Sequence, residues 1–283
     1  MTLRSLLCWG TVEGASVHEL AATASRAGFT GISITPAMYF ASLEQGRTDH
    51  DLRSELDDLG VSVLVIDPLI SGLPGIPSPD DVGPRFRSTF VHDEDDCYRA
   101  AEAVGAGALN VAHYLGAPTE VTVLADAVGA IAARASLKGL DVLVESMPDG
   151  AIPDVTTAAA IVAAVGATNC GLMLDTWHHW RCGGDLVDLR TLAPMTVRAV
   201  QLSDALDDVR GSGARPPTRD RLMPGDGVIP LAEIVAIAQA NCPDVILGIE
   251  VFNRELASRP IDDRSAPAKE SLDAVVAAAF DAR

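Results

Sequence analysis

Three carboxylates and one amide in this chain occupy the same kind of place, the end of a short apolar run. Glu145 closes Asp141-Val-Leu-Val-Glu145, and Asp175 closes Gly171-Leu-Met-Leu-Asp175. Gln201 lies late in Val197-Arg-Ala-Val-Gln-Leu-Ser-Asp204, and Glu250 lies late in Val245-Ile-Leu-Gly-Ile-Glu-Val251. Short apolar runs of this kind are strands buried on both faces. If the four strands are neighbours, about 4.8 Å apart, side chains aimed at one axis converge. Clustered carboxylates in an apolar mouth repel one another and are costly to desolvate. A divalent cation removes that penalty, and an all-oxygen donor set suits Mn²⁺ or Mg²⁺, with Co²⁺ tolerated. The competing reading leaves each acid solvated at a rim or paired with a nearby arginine.

The elements that must position these residues alternate regularly. Strands are expected at Ser5 to Val12, Gly31 to Pro36, Val61 to Ile66 and Ala108 to His113, ahead of the four runs above. Helical patterns separate them: one from a capping box at Ser16-Val-His-Glu19, then Asp49 to Leu59, Asp93 to Val104, Glu120 to Leu137, Thr156 to Val165, Leu231 to Ala240, and a last from near Pro267. Ser71 to Phe90, rich in Pro and Gly, is long for a connection and is a candidate lid. Eight βα units over residues 1–283, with no linker, predict one α/β domain, a (β/α)8 TIM barrel. An open doubly wound sheet is the alternative, weakened by the absence of a strand-Gly-x-Gly-x-x-Gly-helix fingerprint. In a barrel the site forms at the C-terminal strand ends.

Composition narrows the function. The chain has 283 residues, 48% of them hydrophobic, and a net charge of −18, which argues against nucleic-acid binding. No apolar run is long enough for a membrane span, and the N-terminus lacks a signal-peptide pattern. Five cysteines without metal-type spacing read as reduced core thiols of a cytoplasmic protein.

The order Val-Glu145, Leu-Asp175-x-x-His178, Gln201-Leu-x-Asp204, Arg221-x-x-Pro-Gly-x-Gly227 and Gly-x-Glu250 resembles the xylose isomerase-like TIM barrels. It is closest to their sugar phosphate isomerase/epimerase branch, with its inosose isomerases and tagatose and psicose epimerases. The resemblance spans nearly the whole chain. It implies that Glu145, Asp175, Gln201 and Glu250 hold one divalent metal and that Glu145 and Glu250 form an acid/base pair. It further implies that His178 contacts substrate oxygens, that the substrate is a small carbohydrate or polyol, and that the protein is a homodimer or homotetramer. Many members carry His where this chain has Gln201, which weakens any case for zinc.

Such a site supports proton abstraction beside a carbonyl. Isomerisation, epimerisation and loss of a β-hydroxyl share that first step, so a lyase or dehydratase acting on a keto-sugar or 3-oxo-glycoside stays open beside the isomerase. A non-catalytic barrel has no need of converging carboxylates. An endonuclease relative is disfavoured by the acidic balance. Around the core set, Arg181 is a candidate oxygen or phosphate ligand, and His113 ends its strand toward the same mouth. Trp177 and Trp9 would wall a sugar's C–H face or simply pack. Asp204 is read as positioning a loop, and Arg210, Arg215, Arg219 and Arg221 as a solvated loop or an anion clamp.

Overall fold

The structure is a computed structural model and describes residues 3–84, 86–211 and 219–281. Eight parallel strands close into a barrel in sequence order: β1 (Ser5–Leu7), β2 (Gly31–Ile34), β3 (Ser62–Leu69), β4 (Ala108–Ala112), β5 (Asp141–Glu145), β6 (Cys170–Asp175), β7 (Val197–Leu202) and β8 (Ile246–Ile249). β1 pairs with both β2 and β8, which excludes the open doubly wound sheet. Among the described residues no helix is long and apolar enough to cross a membrane.

The pleat explains how an apolar strand delivers a carboxylate. Inside the barrel, Leu143, Met173, Ala199 and Ile246 pack with Leu6, Cys8, Leu64, Val65 and Ala108. Two residues further along their strands come Glu145, Asp175 and Gln201, and four beyond Ile246 comes Glu250. With a side-chain period of two, these polar groups point the same way as the packed layer and lie above it. The alternate residues, such as Val142, Val144, Leu172, Leu174, Val200 and Leu202, belong to the larger core between strands and helices. Asp175 and Gln201 are register partners across β6 and β7, and Gln201 and Gly248 across β7 and β8.

Several boundaries differ from the sequence expectation in ways that matter at the mouth. β1 stops at Leu7, and Trp9–Val12 is a 3-10 turn. Thr11 Oγ1 donates to Ile249 O at 2.9 Å and accepts from Val251 N at 3.0 Å, folding the chain over the end of β8. Thr35 ends the second strand early because its hydroxyl caps a further helix, Pro36–Glu44, with Pro at the first turn. β3 runs on to Leu69 and so carries Asp67. The capping box is present: Glu19 N donates to Ser16 Oγ and Ser16 N to Glu19 Oε2. The candidate lid is anchored rather than loose. Phe90 is fully buried with Ile70 and Ala112, and Ile76, Val82 and Phe86 pack on them as a satellite core. Of the cysteines, Cys8, Cys97, Cys170 and Cys242 are buried, while Cys182 is exposed and not a core thiol.

Candidate active site

The floor of the barrel mouth is a hydrogen-bonded chain of four side chains from β3, β4, β5 and β7. Asn110 Nδ2 donates to Asp67 Oδ1 at 2.8 Å and to Glu145 Oε2 at 2.7 Å. Gln201 Nε2 donates to the other Asp67 oxygen at 3.3 Å. All four residues are buried. Both hydrogens of the Asn110 amide are thereby committed, and Glu145 is held from below by one oxygen. Two amide oxygens, Asn110 Oδ1 and Gln201 Oε1, are buried without a protein partner.

Above the floor, Arg221 is the hub. Its Nη1 lies 2.7 Å from Asp175 Oδ2 and 3.4 Å from Glu250 Oε2, and it also donates to Glu250 O at 3.2 Å. Trp177 and Phe252 present their rings to the guanidinium at 4.9 and 5.1 Å. Asp175 caps the helix Thr176–Arg181 by accepting from His178 N at 2.9 Å, which draws the His178 ring back over the strand ends. His178 Nε2 is 3.7 Å from Glu145 Oε1 and 3.8 Å from Asp175 Oδ2. A guanidinium only donates, so the 3.4 Å contact from Arg221 Nη2 makes His178 Nε2 an acceptor and places the ring proton on Nδ1. That N–H is buried without a partner.

Among the described residues, four buried acids, Asp67, Glu145, Asp175 and Glu250, thus share the site with one buried guanidinium, which pairs with Asp175 and Glu250, and full ionisation would leave three negative charges unbalanced. Burial pushes Asp67 up to about 6, against the opposing hydrogen bonds of Asn110 and Ser33. Burial, followed by the charges of Asp67 and Asp175, raises Glu145 well above the usual carboxylate range. Glu250 is raised likewise by burial, with Arg221 opposing. Burial also acts to raise Asp175, but Arg221, His178 and the His178 backbone N–H together hold it below its ordinary value. Burial drives His178 down to about 4, so the imidazole is neutral at neutral pH.

These groups fit a divalent cation. Donor atoms of Glu145, Asp175 and His178 lie within 4.8 Å of one another, all as acceptors, and the amide oxygen of Gln201, register partner of Asp175, lacks a partner of its own. Two positive charges would offset most of the imbalance. Glu145 and Asp175 are common to this cluster and to the set read from the strand ends. Glu250 stands apart from the cluster, held by Arg221.

Asp67, Glu145, Glu250, His178, Arg181 and Arg221 open into a cavity of about 450 Å³, within the range of small-molecule sites, with Asp175 behind them. Trp9 lines it and packs edge-on against Phe252 at 5.3 Å. Arg181 lines it too, but its guanidinium is paired with Asp149 at 3.0 and 3.3 Å. The other two aromatic and imidazole candidates are placed differently. Trp177 lies beneath Arg221 and Arg181 as a packing platform outside the cavity lining. His113 is fully buried with both ring nitrogens engaged by backbone, Nε2 with Pro74 O and Nδ1 with Ala151 N, each at 2.9 Å. It therefore ties the connections after β3 and β5 together and leaves no ring nitrogen for a substrate.

The loop arginines also separate. Arg221 is buried in the site and is neither solvated nor a surface clamp, because two acids and two aromatic faces surround it. Arg219 pairs with Glu13, and Arg210 lies over Trp180 at 4.4 Å. Arg215 lies outside the described residues. Asp204 organises the turn as read, accepting from the backbone N–H groups of Ala205, Gly225, Gly227 and Ile229. Asp67 and Asn110 are site residues that the strand-end pattern does not single out. For Asp67 the signal was present, since Val61-Ser-Val-Leu-Val-Ile is followed at once by a carboxylate.

The description "xylose isomerase-like TIM barrel" matches residues 21–277. An inosose isomerase of Bacillus velezensis is 30% identical over 121 residues, covering 42% of each chain, so the matched segment spans about two fifths of that relative's length. Over nearly the full chain the fold superposes on IolI protein crystallised with a zinc atom, with a TM-score of 0.83, 16% identity and coverage of 97% of this chain and 98% of that one. D-psicose 3-epimerase with D-tagatose from Clostridium cellulolyticum H10 gives a TM-score of 0.68, 16% identity and coverage of 98% and 99%. At these identities the superpositions speak for the fold, whereas the family match runs from the first helix through the last. The chain belongs to the xylose isomerase-like TIM barrel family.

Proposed function

We propose that this protein is a divalent-metal-dependent isomerase or epimerase of an uncharged keto-sugar or keto-polyol, acting by proton transfer at the carbon beside the carbonyl. The observation that carries the reading is the buried set Glu145, Asp175 and Glu250, gathered around the Arg221 guanidinium at the base of a cavity. Partial identity to an inosose isomerase agrees with it.

Glu145, Asp175, Gln201 and Glu250 would hold the ion, and an oxygen-only set favours Mn²⁺ or Mg²⁺ with Co²⁺ tolerated. When bound, the ion supplies Lewis-acid polarisation of a carbonyl and its neighbouring hydroxyl. The chain's own groups do the rest. Asn110 holds Glu145 by Oε2 and leaves Oε1 as the atom to take the α proton. Return of that proton by Glu145 to the adjacent carbon, with the hydroxyl proton passing to the former carbonyl oxygen, gives isomerisation. Delivery of a proton by Glu250 to the opposite face gives epimerisation. His178 and Arg221 both line the cavity, and each keeps one buried N–H, Nδ1 and Nε, without a protein partner. Lining the cavity, the two side chains would contact substrate oxygens and hold the carbonyl end in register.

Charge and wall chemistry limit the substrate. Among the described residues the three cavity arginines are already paired: Arg181 with Asp149, Arg219 with Glu13, and Arg221 with Asp175 and Glu250. A phosphate would meet positive charge that carboxylates already offset, in an acidic cavity, which favours an unphosphorylated substrate. Trp9, Met38, Ile70, Tyr114, Met147 and Phe252 offer apolar surface to its C–H faces.

The test is solvent exchange. Enzyme reconstituted with Mn²⁺ is incubated in D₂O with inosose and a panel of ketohexoses, and deuterium at the α carbon is read by NMR and mass spectrometry. Incorporation that disappears in Glu145→Gln supports the proposal. A metal-loaded enzyme that exchanges no α proton on any member of the panel would sink it.

A further inference from the structure

Gln201 is an amide at a position where only one of its two ends is useful to a cation. The oxygen donates a lone pair, whereas the NH₂ group carries two hydrogens and repels positive charge. Rotation by half a turn exchanges the two ends at little steric cost, so a neighbouring group must decide between them. Asp67 is that neighbour. An ionised carboxylate is acceptor-only, and Asp67 Oδ2 takes the Gln201 Nε2 hydrogen at 3.3 Å from strand β3, across the barrel axis from β7. The amide oxygen, Oε1, is left buried and without a partner. Asp67 is held in turn, because its other oxygen accepts from Asn110, whose second hydrogen goes to Glu145.

Resting on the cation reading of this site, we propose that Asp67 is a positioning residue that orients the Gln201 amide so that its oxygen serves as a metal donor. Asp67 acts on the ion through Gln201, in the way outer groups orient metal-binding histidines. Asp67 and Gln201 form one functional unit in place of a single ring nitrogen, and the Asn110 bridge couples that unit to Glu145.

Substituting Asp67→Asn reverses the preference. Asn110 offers only hydrogens to position 67, so the new amide turns its oxygen to Asn110 and its NH₂ to Gln201. Gln201 must then answer with its oxygen and swing its NH₂ toward the acids. Binding of Mn²⁺ and of Co²⁺ alone to the full chain is measured by isothermal titration calorimetry, with melting curves confirming the fold. Asp67→Asn is expected to weaken both ions by about 10–100-fold. The double-mutant cycle separates orientation from charge. Once Gln201→Ala has removed the donor, adding Asp67→Asn costs less than about a further twofold if Asp67 works through the amide. The transposed pair Asp67→Asn/Gln201→Glu places a donor at 67 and a carboxylate at 201, and is expected to recover binding close to wild type.

Should Asp67→Asn alone fail to fold, the transposed pair carries the test. Equal losses from Asp67→Asn in the wild-type and Gln201→Ala backgrounds, unchanged affinity in the single variant, or no recovery in the transposed pair would each overturn the proposal. Failure of the wild-type chain to bind either ion would overturn the cation reading itself and the role of Asp67 with it, an outcome distinct from all three.

Discussion

Arg221 and Asp175 form an ion pair 2.7 Å apart in which both side chains are shut off from solvent. Arg221 comes from the stretch before the Pro224-Gly-Asp-Gly227 turn, and Asp175 from the tip of β6. Their contact lies at the barrel mouth and holds one acid of the site ionised while burial favours the neutral form of its neighbours.

Removing one member of a buried pair costs far more than the pair itself contributes, roughly 3–5 kcal/mol, because a charge is left uncompensated. Arg221→Met keeps the bulk between Trp177 and Phe252 and deletes the charge. The metal-free variant is expected to melt well below wild type, and Mn²⁺ should raise its melting temperature more than it raises that of wild type. Equal melting curves without metal would mean that the acids share their charge differently.

Glu145 has a folded-state pKa raised above its unfolded value, so its contribution to stability is full at low pH and is lost as pH rises through the folded pKa. Glu145→Gln keeps an acceptor for Asn110 and cannot ionise. In EDTA the variant is therefore expected to melt above wild type at pH 8, with the gap closing toward pH 5. Mn²⁺ should reverse the order at pH 8, since the ion stabilises the carboxylate form. A gap that widens on acidification would contradict the assignment of Glu145 as a buried, destabilised acid.

His178 and Asp175 separate binding of the ion from turnover. Asp175→Asn is expected to lose the ion and still fold, at a lowered melting temperature, because the amide oxygen can keep the His178 N–H while Arg221 loses one of its counter-charges. His178→Ala is expected to retain Mn²⁺ and lose turnover on whichever substrate exchanges, since its role is a contact with substrate oxygens. Metal analysis after dialysis reads both variants. If His178→Ala loses the ion as fully as Asp175→Asn, then His178 Nε2, which lies 3.7 Å from Glu145 Oε1, is itself a ligand.

The amino-acid order by itself determined the eight βα units and the depth of their acids. Eight apolar runs separated by helical periods favour a parallel α/β barrel over an open sheet, and a period of two puts Glu145 and Asp175 above Leu143 and Met173 wherever those pack inward. Strand-end chemistry is legible because it depends on neighbours along the chain. Pairing across the barrel is not. Asp67 and Gln201 are 134 residues apart, and nothing in either segment states that an amide hydrogen of one meets an oxygen of the other. The same holds for Arg221, which in sequence is one of several loop arginines and becomes the hub of the site only because the turn after it returns the chain over the strand ends. His113 shows the converse: its place at the end of β4 matched the pattern of a site residue, but backbone from two other connections had already taken both ring nitrogens. Hydrogen-bond partners within a barrel mouth are chosen by closure of the sheet, which brings β3, β4, β5 and β7 around one axis, and that closure is a property of the tertiary structure alone.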